Sequence, residues 1–428
     1  MRSVAVIGAG ITGVTTAYAL SRRGFDVTLI DRQPQAAMET SFANGGQLSA
    51  SNAAVWNRLS TVLKGLKWLL RKDAPLLMNP APSWHKYSWL AEFLAAIPHY
   101  ERNTVETVRL ALAARRHLLD WAQDEGIDFD LERRGILHVY EDGAEMDAGR
   151  AVSRLLAEGG LAREEVTPAE IATIDPTLPS HYVGGFFTPS DFTGDVHKFT
   201  GGLARACAKK GVALWFDQSV ENIATCAAGG VDITLAGDGV RETSHFDGVV
   251  VCAGVGSRAI GQMLGDRVNV YPVKGYSITV MLDDGQSRDA APHVSLLDEA
   301  AKIVTSRLGD RFRVAGTAEF NGENRSVRQD RVAPLENWVR HNFPGVSMDR
   351  VVPWAGLRPM MPNMLPRVGA GNQAGVFYNT GHGHLGWTLS AATAEMIGDT
   401  VLAQGAPLVH AVTSGSADRA MDNAAKAA

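Results

Sequence analysis

The chain has 428 residues, which is too long for a single compact core and long enough for about two domains. Its 45% hydrophobic and 20% charged residues are typical of a soluble globular enzyme, and no apolar run reaches the length of a transmembrane helix. The formal net charge of -5 argues against nucleic acid as the main partner, because phosphate binding requires a basic face.

The beginning of the chain predicts a nucleotide-binding unit. Residues 4–7 are continuously apolar, as in a strand buried on both faces, and Gly8, Gly10 and Gly13 follow them as G-x-G-x-x-G. In such a loop the first glycine permits a tight turn, the second lets the backbone approach a pyrophosphate, and the third lets the next helix pack closely on the strand. That helix presents its free N–H groups to the phosphates, and Asp31, at the end of a second strand, can bind both hydroxyls of an adenosine ribose. The pattern predicts FAD or NAD rather than NADP; the alternative is an ordinary βαβ turn without a ligand.

The next two segments each allow two interpretations. In residues 39–49, hydroxyl, amide and glycine groups could contact a phosphate or a ring edge, but the segment could also be a polar loop with a helix cap. In residues 54–72, basic residues are interspersed with leucine and tryptophan, which is typical of an amphipathic helix at a lipid surface. The alternative for this segment is a helix that packs on its own domain with a solvated basic face. The basic residues that alternate with leucine and tryptophan are Lys64, Lys67, Arg71 and Lys72.

The middle of the chain predicts elements that leave the nucleotide-binding fold and return to it. Apolar spacing predicts helices at 103–125, 144–158, 166–176 and 196–210. Alternating or continuous apolar runs predict strands at 135–140, 212–216, 220–224, 231–235 and 246–254, and residues 184–195 predict a strand followed by a loop that returns to the first domain. The predicted strand at 246–254 ends in a glycine turn at Ala253 and Gly254, which resembles a second contact with the dinucleotide.

The last third of the chain predicts an antiparallel platform and a second glycine loop. Strands at 270–280, 301–308 and 311–320, with a helix at 331–344, could build a mostly antiparallel sheet over the cofactor. Three glycines then precede a final helix, a geometry that can approach the oxygen-bearing edge of a flavin. They are Gly381, Gly383 and Gly386.

The cysteines and the N-terminal strand indicate a cytoplasmic protein. Cys207, Cys226 and Cys252 have neither paired nor metal-ligating spacing, which fits a reducing compartment and predicts no metal site. The first strand leaves no room for a signal peptide.

Together these motifs resemble the FAD-dependent D-amino-acid oxidase superfamily and, within it, the bacterial D-amino-acid dehydrogenases of the small-subunit type. The resemblance covers nearly the whole chain. It rests on the blocks V-I-G-A-G-I-T-G-V with Asp31, E-T-S-F-A-N-G-G-Q, V-Y-P-V-K-G-Y-S, L-D-E-A-A-K-I with T-S-R, W-A-G-L-R-P-M and N-T-G-H-G-H-L-G-W-T.

With the predicted elements, the resemblance implies an α/β fold of two domains. A discontinuous Rossmann-type FAD-binding domain would comprise residues 1–60, 190–268 and 350–408. An α+β substrate domain with a mostly antiparallel sheet would comprise residues 61–189 and 269–349. Residues 409–428 would form a flexible tail.

The resemblance also implies a cofactor site. The positions matching its ADP-binding residues are Gly8, Ala9, Gly10, Ile11, Thr12, Gly13, Asp31 and Arg32. Those matching its loop along the pyrophosphate and flavin are Ser41, Asn44, Gly46 and Gln47. Further cofactor positions are Val220, Ala253, Gly254, Gly356, Arg358, Gly381, His382, Gly383, Leu385, Gly386 and Thr388.

For the substrate, Arg358 in Gly-Leu-Arg-Pro matches the arginine that holds the substrate carboxylate. The planar guanidinium suits this role because it binds a carboxylate through two hydrogen bonds; the alternative is a structural ion pair. Tyr276 and Tyr271 match positions near the substrate, with a packing role as the alternative, and Lys274 would face the flavin.

One departure from the family pattern bears on specificity. Relatives usually continue R-P-M-T-P with an acid–glycine pair, whereas this chain has Asn363, Met364 and Leu365 before the next proline. The corner becomes bulkier and apolar, which makes cyclic or larger apolar D-amino acids plausible substrates.

The implied activity is oxidation of a D-amino acid by hydride transfer to flavin N5, followed by hydrolysis of the imino acid to a 2-oxo acid and ammonia. Electrons would pass to a quinone or other carrier, with the basic segment touching the inner face of the cell membrane. The alternatives are an O₂-using oxidase, a secondary-amine or hydroxyproline-type dehydrogenase of the same superfamily, and a flavin-binding protein without turnover.

Overall fold

The computed structural model describes residues 2–68, 75–237 and 239–405. The predicted tail, and the basic residues Arg71 and Lys72, lie outside these ranges. In the described parts the helices are α1 Ile11–Arg22, α2 Leu59–Trp68, α3 Trp84–Ala95, α4 Tyr100–Asp124, α5 Gly143–Glu158, α6 Pro168–Ile174, α7 Val196–Lys209, α8 Ser257–Met263, α9 Gly285–Ala290, α10 Gln329–Asn342 and α11 Gly386–Gly405. Short 3₁₀ turns occur at Ile97–His99, Gly254–Gly256 and Gly383–Leu385.

The strands of the same parts of the chain form four sheets. They are β1 Ser3–Ile7, β2 Asp26–Ile30, β3 Gln47–Leu48, β4 Leu76–Met78, β5 Ile136–Tyr140, β6 Glu164–Val166, β7 Gly184–Thr188, β8 Phe192–Thr193, β9 Ala213–Trp215, β10 Ser219–Thr225, β11 Val231–Gly237, β12 Val240–Phe246, β13 Gly248–Val251, β14 Tyr271–Met281, β15 Ser295–Asp298, β16 Ile303–Leu308, β17 Arg311–Phe320, β18 Val351–Met360, β19 Arg367–Ala370 and β20 Val376–Thr380.

The first sheet has six strands in the order β19-β20-β13-β1-β2-β9, all parallel except β19. Helices α1, α4, α7 and α11 bury one of its faces. The antiparallel meander β10-β11-β12 and helix α8 contribute to the core on the other face. Because both faces are covered, β1, β13 and β20 consist almost entirely of buried residues, as predicted for parallel strands.

The second large sheet runs in the order β18-β14-β17-β16-β15-β5-β7-β6, with β4 also paired to β17. Its pairs are antiparallel except β15–β5 and β17–β4. Helix α10 packs on one face through Val332, Leu335 and Val339. The predicted α/β class with a mostly antiparallel second sheet is therefore confirmed.

One predicted domain boundary needs correction. The division proposed from the sequence assigns residues from 350 onwards to the FAD-binding domain, but β18 pairs with β14 from Tyr271–Met360 to Val280–Val351. Backbone hydrogen bonding therefore places β18 with the mixed sheet, because a continuous antiparallel ladder ties it to that sheet. The remaining boundaries stay a proposal. Among the described residues, no helix is both long enough and apolar enough to cross a bilayer.

Candidate functional site

The glycine loop after β1 has the tight turn that its sequence predicts. Gly8 has φ of +103°, a conformation that strongly favours glycine. A Cβ on Gly13 would lie 1.7 Å from the carbonyl oxygen of Gly8, so α1 can pack against the loop only if residue 13 lacks a side chain. The N–H of Ile11, the first residue of α1, donates to Ser41 Oγ at 3.0 Å.

Asp31 closes the loop from the second strand. Its Oδ2 accepts from the N–H of Ala9 at 2.5 Å and its Oδ1 from the N–H of Gln33 at 2.8 Å. Burial raises the pKa of this carboxyl, and the two backbone donors oppose the rise. The neighbouring Arg32 forms an ion pair with Glu39 at 2.6 Å, an acid that the sequence did not single out.

These groups line a cavity of about 910 Å³ that Arg358 also lines. Most of the predicted cofactor positions line it: Gly8, Gly10, Ile11, Thr12, Asp31, Arg32, Ser41, Asn44, Gly46, Gln47, Val220, Ala253, Gly254, Gly356, Arg358, Gly381, His382, Gly383, Leu385, Gly386 and Thr388. Ala9 and Gly13 do not line the cavity; they support it through the bond to Asp31 and through the packing of α1.

Arg358, on β18, lines the same cavity. The residue is half-buried, and its Nη1 atom is buried with no hydrogen-bond partner among the described residues. Burial lowers the pKa to about 10, which leaves the side chain charged at neutral pH. An unpaired buried cation is costly unless a ligand neutralises it, so this part of the cavity is suited to an anion such as a carboxylate.

Gly275 on β14 makes room for this guanidinium. A Cβ at residue 275 would lie 2.1 Å from Arg358 Nη1 and 2.3 Å from Cζ. We expect Gly275→Ala to displace the guanidinium and raise KM at least about tenfold, because one good charge-assisted hydrogen bond contributes roughly 1.5–3 kcal/mol. Steady-state kinetics checks this, with Gly285→Ala as a control because no atom would lie within 4 Å of its Cβ. An unchanged KM would contradict the expectation.

The other residues predicted near the substrate or flavin, Tyr276, Lys274 and Tyr271, differ in whether they line the cavity. Tyr276 reaches the cavity wall, but its hydroxyl donates to Glu319 at 2.5 Å. The ammonium of Lys274, which the resemblance places facing the flavin, lies 3.1 Å from Glu319 and donates to Asn324 at 2.9 Å. Lys274 is not among the described residues that line the cavity.

Tyr271 is not among the described residues that line the cavity, although its ring partners Trp89 and Phe320 are, so its place near the substrate stays a prediction. Its ring stacks on Phe320 with centroids 5.4 Å apart and packs against Trp89 and His85. Its hydroxyl accepts from the N–H of Gly322 at 3.3 Å. These contacts fit the packing role that was the alternative.

The divergent corner after Arg358 does not form part of the described cavity wall. Met364 is buried with Val55, Trp89 and Met360, and Asn363 is exposed. Its effect on specificity would therefore be indirect, through Trp89 and Met360, which do line the cavity.

Two histidines from the second glycine loop line the cavity, and sequence reasoning identified one of them. His382 is 3% exposed, and its Nε2 lies 2.9 Å from Thr393 Oγ1. His384 stacks on Trp56, with ring centroids 4.5 Å apart. No spacing rule distinguishes His384 from His382, so the sequence alone gave no signal for it.

The burial of His382 predicts a loss of stability in acid. Burial lowers its pKa from 6.5 to about 3, so the unfolded chain binds a proton more readily than the folded chain. The stability that this group contributes is complete above pH 6.5 and is lost as the pH falls towards 3, by about 2 kcal/mol between pH 7 and pH 5. Urea unfolding of the protein and of His382→Gln at both pH values checks this; an equal acid loss in the two proteins would contradict it.

Comparison with known proteins identifies the family. A model described as DAO, FAD dependent oxidoreductase, matches residues 3–400. The chain belongs to the DAO family of FAD-dependent oxidoreductases. Among DAO-family relatives, D-amino acid dehydrogenase 3 of Mesorhizobium japonicum is 60% identical over 95% of this chain and 98% of its own. A D-amino acid dehydrogenase of Paramagnetospirillum magneticum is 40% identical over 93% of this chain and 94% of its own.

Solved structures show the same DAO fold. Glycine oxidase from Geobacillus kaustophilus superimposes with a TM-score of 0.74 at 20% identity, covering 94% of this chain and 95% of that one. L-proline dehydrogenase from P. horikoshii gives 0.73 at 15% identity, covering 96% and 95%. At such identities the likeness concerns the fold alone.

The cavity fits the FAD of the DAO family. Its volume is within the usual range for cofactor sites. Two buried polar atoms on its walls, Gln47 Oε1 and Trp387 Nε1, have no partner among the described residues. Both glycine loops line the cavity with backbone that no side chain covers, so a large planar ligand can approach closely there.

Proposed function

We propose that this protein catalyses the FAD-dependent oxidative deamination of D-amino acids to 2-oxo acids and ammonia. The observation that carries the proposal is that Arg358, whose buried Nη1 has no partner among the described residues, lines the same cavity as the glycine loop and Asp31. The names of the relatives support the D-amino-acid class, since two of them are D-amino acid dehydrogenases that align over nearly the full chain.

In the proposed mechanism Arg358 binds the substrate carboxylate through its free N–H group and so fixes the position of the α-carbon. FAD, when bound, supplies the two-electron acceptor for the α-hydrogen. The substrate amine reacts in its neutral form, so the rate should rise with pH. The imino acid product is then hydrolysed by water to the 2-oxo acid and ammonia.

The aromatic walls near Arg358 favour apolar and cyclic substrates. They exclude water from the reacting carbon and offer ring faces to a side chain. The residues are Trp56, Trp89, Phe93, Tyr100 and Phe320.

The decisive experiment is anaerobic reduction of the bound flavin by a panel of D-amino acids, their L-enantiomers and cyclic amino acids. Bleaching by D-amino acids alone supports the proposal. Bleaching by sarcosine or hydroxyproline in preference would favour the secondary-amine alternative, and H₂O₂ formation equal to dye reduction in air would favour an oxidase. If no substrate bleaches the flavin, a binding protein without turnover is favoured.

We further propose that the electrons pass to a quinone or other respiratory carrier and that the protein works in the cytoplasm at the inner face of the membrane. Support comes from large exposed apolar side chains on α2 and α3, because such side chains can insert into the apolar boundary of a lipid surface. Leu59 is 60%, Leu63 53% and Trp84 84% exposed. The competing interpretation, a helix that only packs on its own domain, remains open: Lys64 of the same helix pairs with Glu145 at 2.9 Å.

The membrane proposal predicts binding to anionic liposomes at low salt. Replacing Leu63 and Trp84 with serine should reduce cosedimentation at least about tenfold, since each buried large apolar side chain contributes roughly 1.5–3 kcal/mol. Val240→Ser is a matched control, because Val240 is also exposed but lies on β12 of the meander, remote in sequence from α2 and α3. Failure of the unaltered protein to sediment with the liposomes would refute the proposal.

A further inference from the structure

The feature that the proposed mechanism leaves unused is His384. It lies in the 3₁₀ turn Gly383–Leu385 on the cavity wall, and its ring is held flat against Trp56, with an interplanar angle of 25°. Both ring nitrogens are buried, and neither forms a hydrogen bond of normal geometry with a described residue.

The surroundings of His384 fix its protonation state. Burial and the nearby charge of Arg358 lower its pKa to about 3, while the backbone at Asn52 acts in the opposite direction. The imidazole is therefore neutral at physiological pH and offers one N–H donor and one lone-pair acceptor.

The other two buried histidines have partners. His382 Nε2 lies 2.9 Å from Thr393 Oγ1, and His138 lies 3.0 Å from Ser51 Oγ and 3.2 Å from Glu299. Leaving a buried polar group unsatisfied is unfavourable, and the backbone at Asn52 can serve only one of the two ring nitrogens of His384. At least one buried nitrogen on the cavity wall therefore has no partner among the described residues, which indicates that a ligand supplies it.

We propose that His384 is a substrate-binding residue that accepts a hydrogen bond from the α-amino group of the amino acid whose carboxylate Arg358 holds. This inference rests on the proposed function. Arg358 has only donors, which suit the carboxylate, whereas the N–H groups of an α-amino group, in its neutral or its protonated form, require an acceptor. A neutral imidazole beside the guanidinium therefore completes the recognition of an α-amino acid and distinguishes it from a plain carboxylic acid.

The test compares two inert ligands of nearly the same shape. 2-Aminoisobutyrate has a carboxylate and an amino group but no α-hydrogen, so it cannot be oxidised; pivalate has a methyl group in place of the amino group. Their dissociation constants are measured with the FAD-containing protein from changes in the flavin absorbance. The variants are His384→Phe, which keeps a ring against Trp56, and His384→Gln, which restores an acceptor.

In His384→Phe the dissociation constant of 2-aminoisobutyrate should rise about tenfold or more, while that of pivalate stays within about twofold. His384→Gln should recover part of the lost affinity for 2-aminoisobutyrate. Should His384→Phe lose its flavin, His384→Leu is measured in the same way.

Equal changes for both ligands, no change for either, or failure of 2-aminoisobutyrate to bind the unaltered protein would overturn the inference. The outcome is separable from that of the proposed function. Selective loss of 2-aminoisobutyrate binding, with no flavin reduction by any D-amino acid, would support the contact and refute the activity. Reduction of the flavin by D-amino acids, with an unchanged ratio of the two dissociation constants in His384→Phe, would support the activity and refute the contact.

Discussion

Replacing Arg358 with alanine is expected to lower kcat/KM for D-amino acids by roughly 30- to 5,000-fold while the protein still binds FAD. Removing one partner of a buried, hydrogen-bonded charge pair costs about 2–5 kcal/mol, and here the bound carboxylate would be left without its cation. Most of the effect should be on KM, because the carboxylate contact exists before the reaction begins. Steady-state kinetics with a soluble electron-accepting dye measures it.

The matched control is Arg350→Ala. Arg350 directly precedes β18, the strand that carries Arg358, but its side chain is 65% exposed and pairs only with Asp283 among the described residues. This variant should retain kcat/KM within about twofold, since surface ion pairs contribute little. An Arg358→Ala protein with full flavin content and unchanged kcat/KM would remove Arg358 from the substrate site.

Replacing Gly13 with alanine is expected to abolish most FAD binding. The added Cβ would meet the Gly8 carbonyl oxygen at 1.7 Å and the Gly8 carbonyl carbon at 2.8 Å, and both atoms belong to the backbone. Helix α1 must therefore move away from the loop, which displaces the N–H groups and the Asp31 bond that shape this end of the cavity. The ratio of flavin to protein absorbance after purification, and the flavin dissociation constant, should change more than about tenfold.

Gly143→Ala provides the comparison. Gly143 begins α5, and a Cβ there would have no atom within 4 Å. That substitution should leave the flavin content unchanged and stabilise the helix slightly, because alanine has the higher helix propensity. Normal flavin content in Gly13→Ala would show that the close packing of α1 on the loop is not required.

The nucleotide end of the site could be predicted from sequence because its determinants are local. The Gly8 turn, the Gly13 contact and the reach of Asp31 to Ala9 all lie within one βαβ unit of about thirty residues. The glycine loop before α11 could be recognised for the same reason, since a positive φ at Gly381 and Gly383 is a local requirement.

The substrate end of the site was harder to predict from sequence because β14 is buried on both faces. Ten of its eleven residues, from Tyr271 to Val280, are buried, so no polar–apolar alternation indicates which side faces the cavity. Ser277 donates to the carbonyl of Ala43, while the neighbouring Tyr276 packs towards α10. Which side chains of β14 point to which face of the sheet is set only by its long-range pairing with β18. The positions of Lys274 and Tyr271 likewise could not be derived from a pattern within this strand.

The strand order of the six-stranded sheet has a consequence for synthesis of the chain. β1 lies between β2, which follows it closely, and β13, whose Gly248 pairs with Val4, 244 residues earlier in the chain. At about 5–20 residues per second, the ribosome needs roughly 10–50 s to supply that partner. During this interval one edge of a core strand that is apolar from Val4 to Ile7 has no native neighbour, which is the condition for pairing with another nascent chain. Yield in expression should therefore depend on chaperone capacity more than the stability of the finished protein suggests.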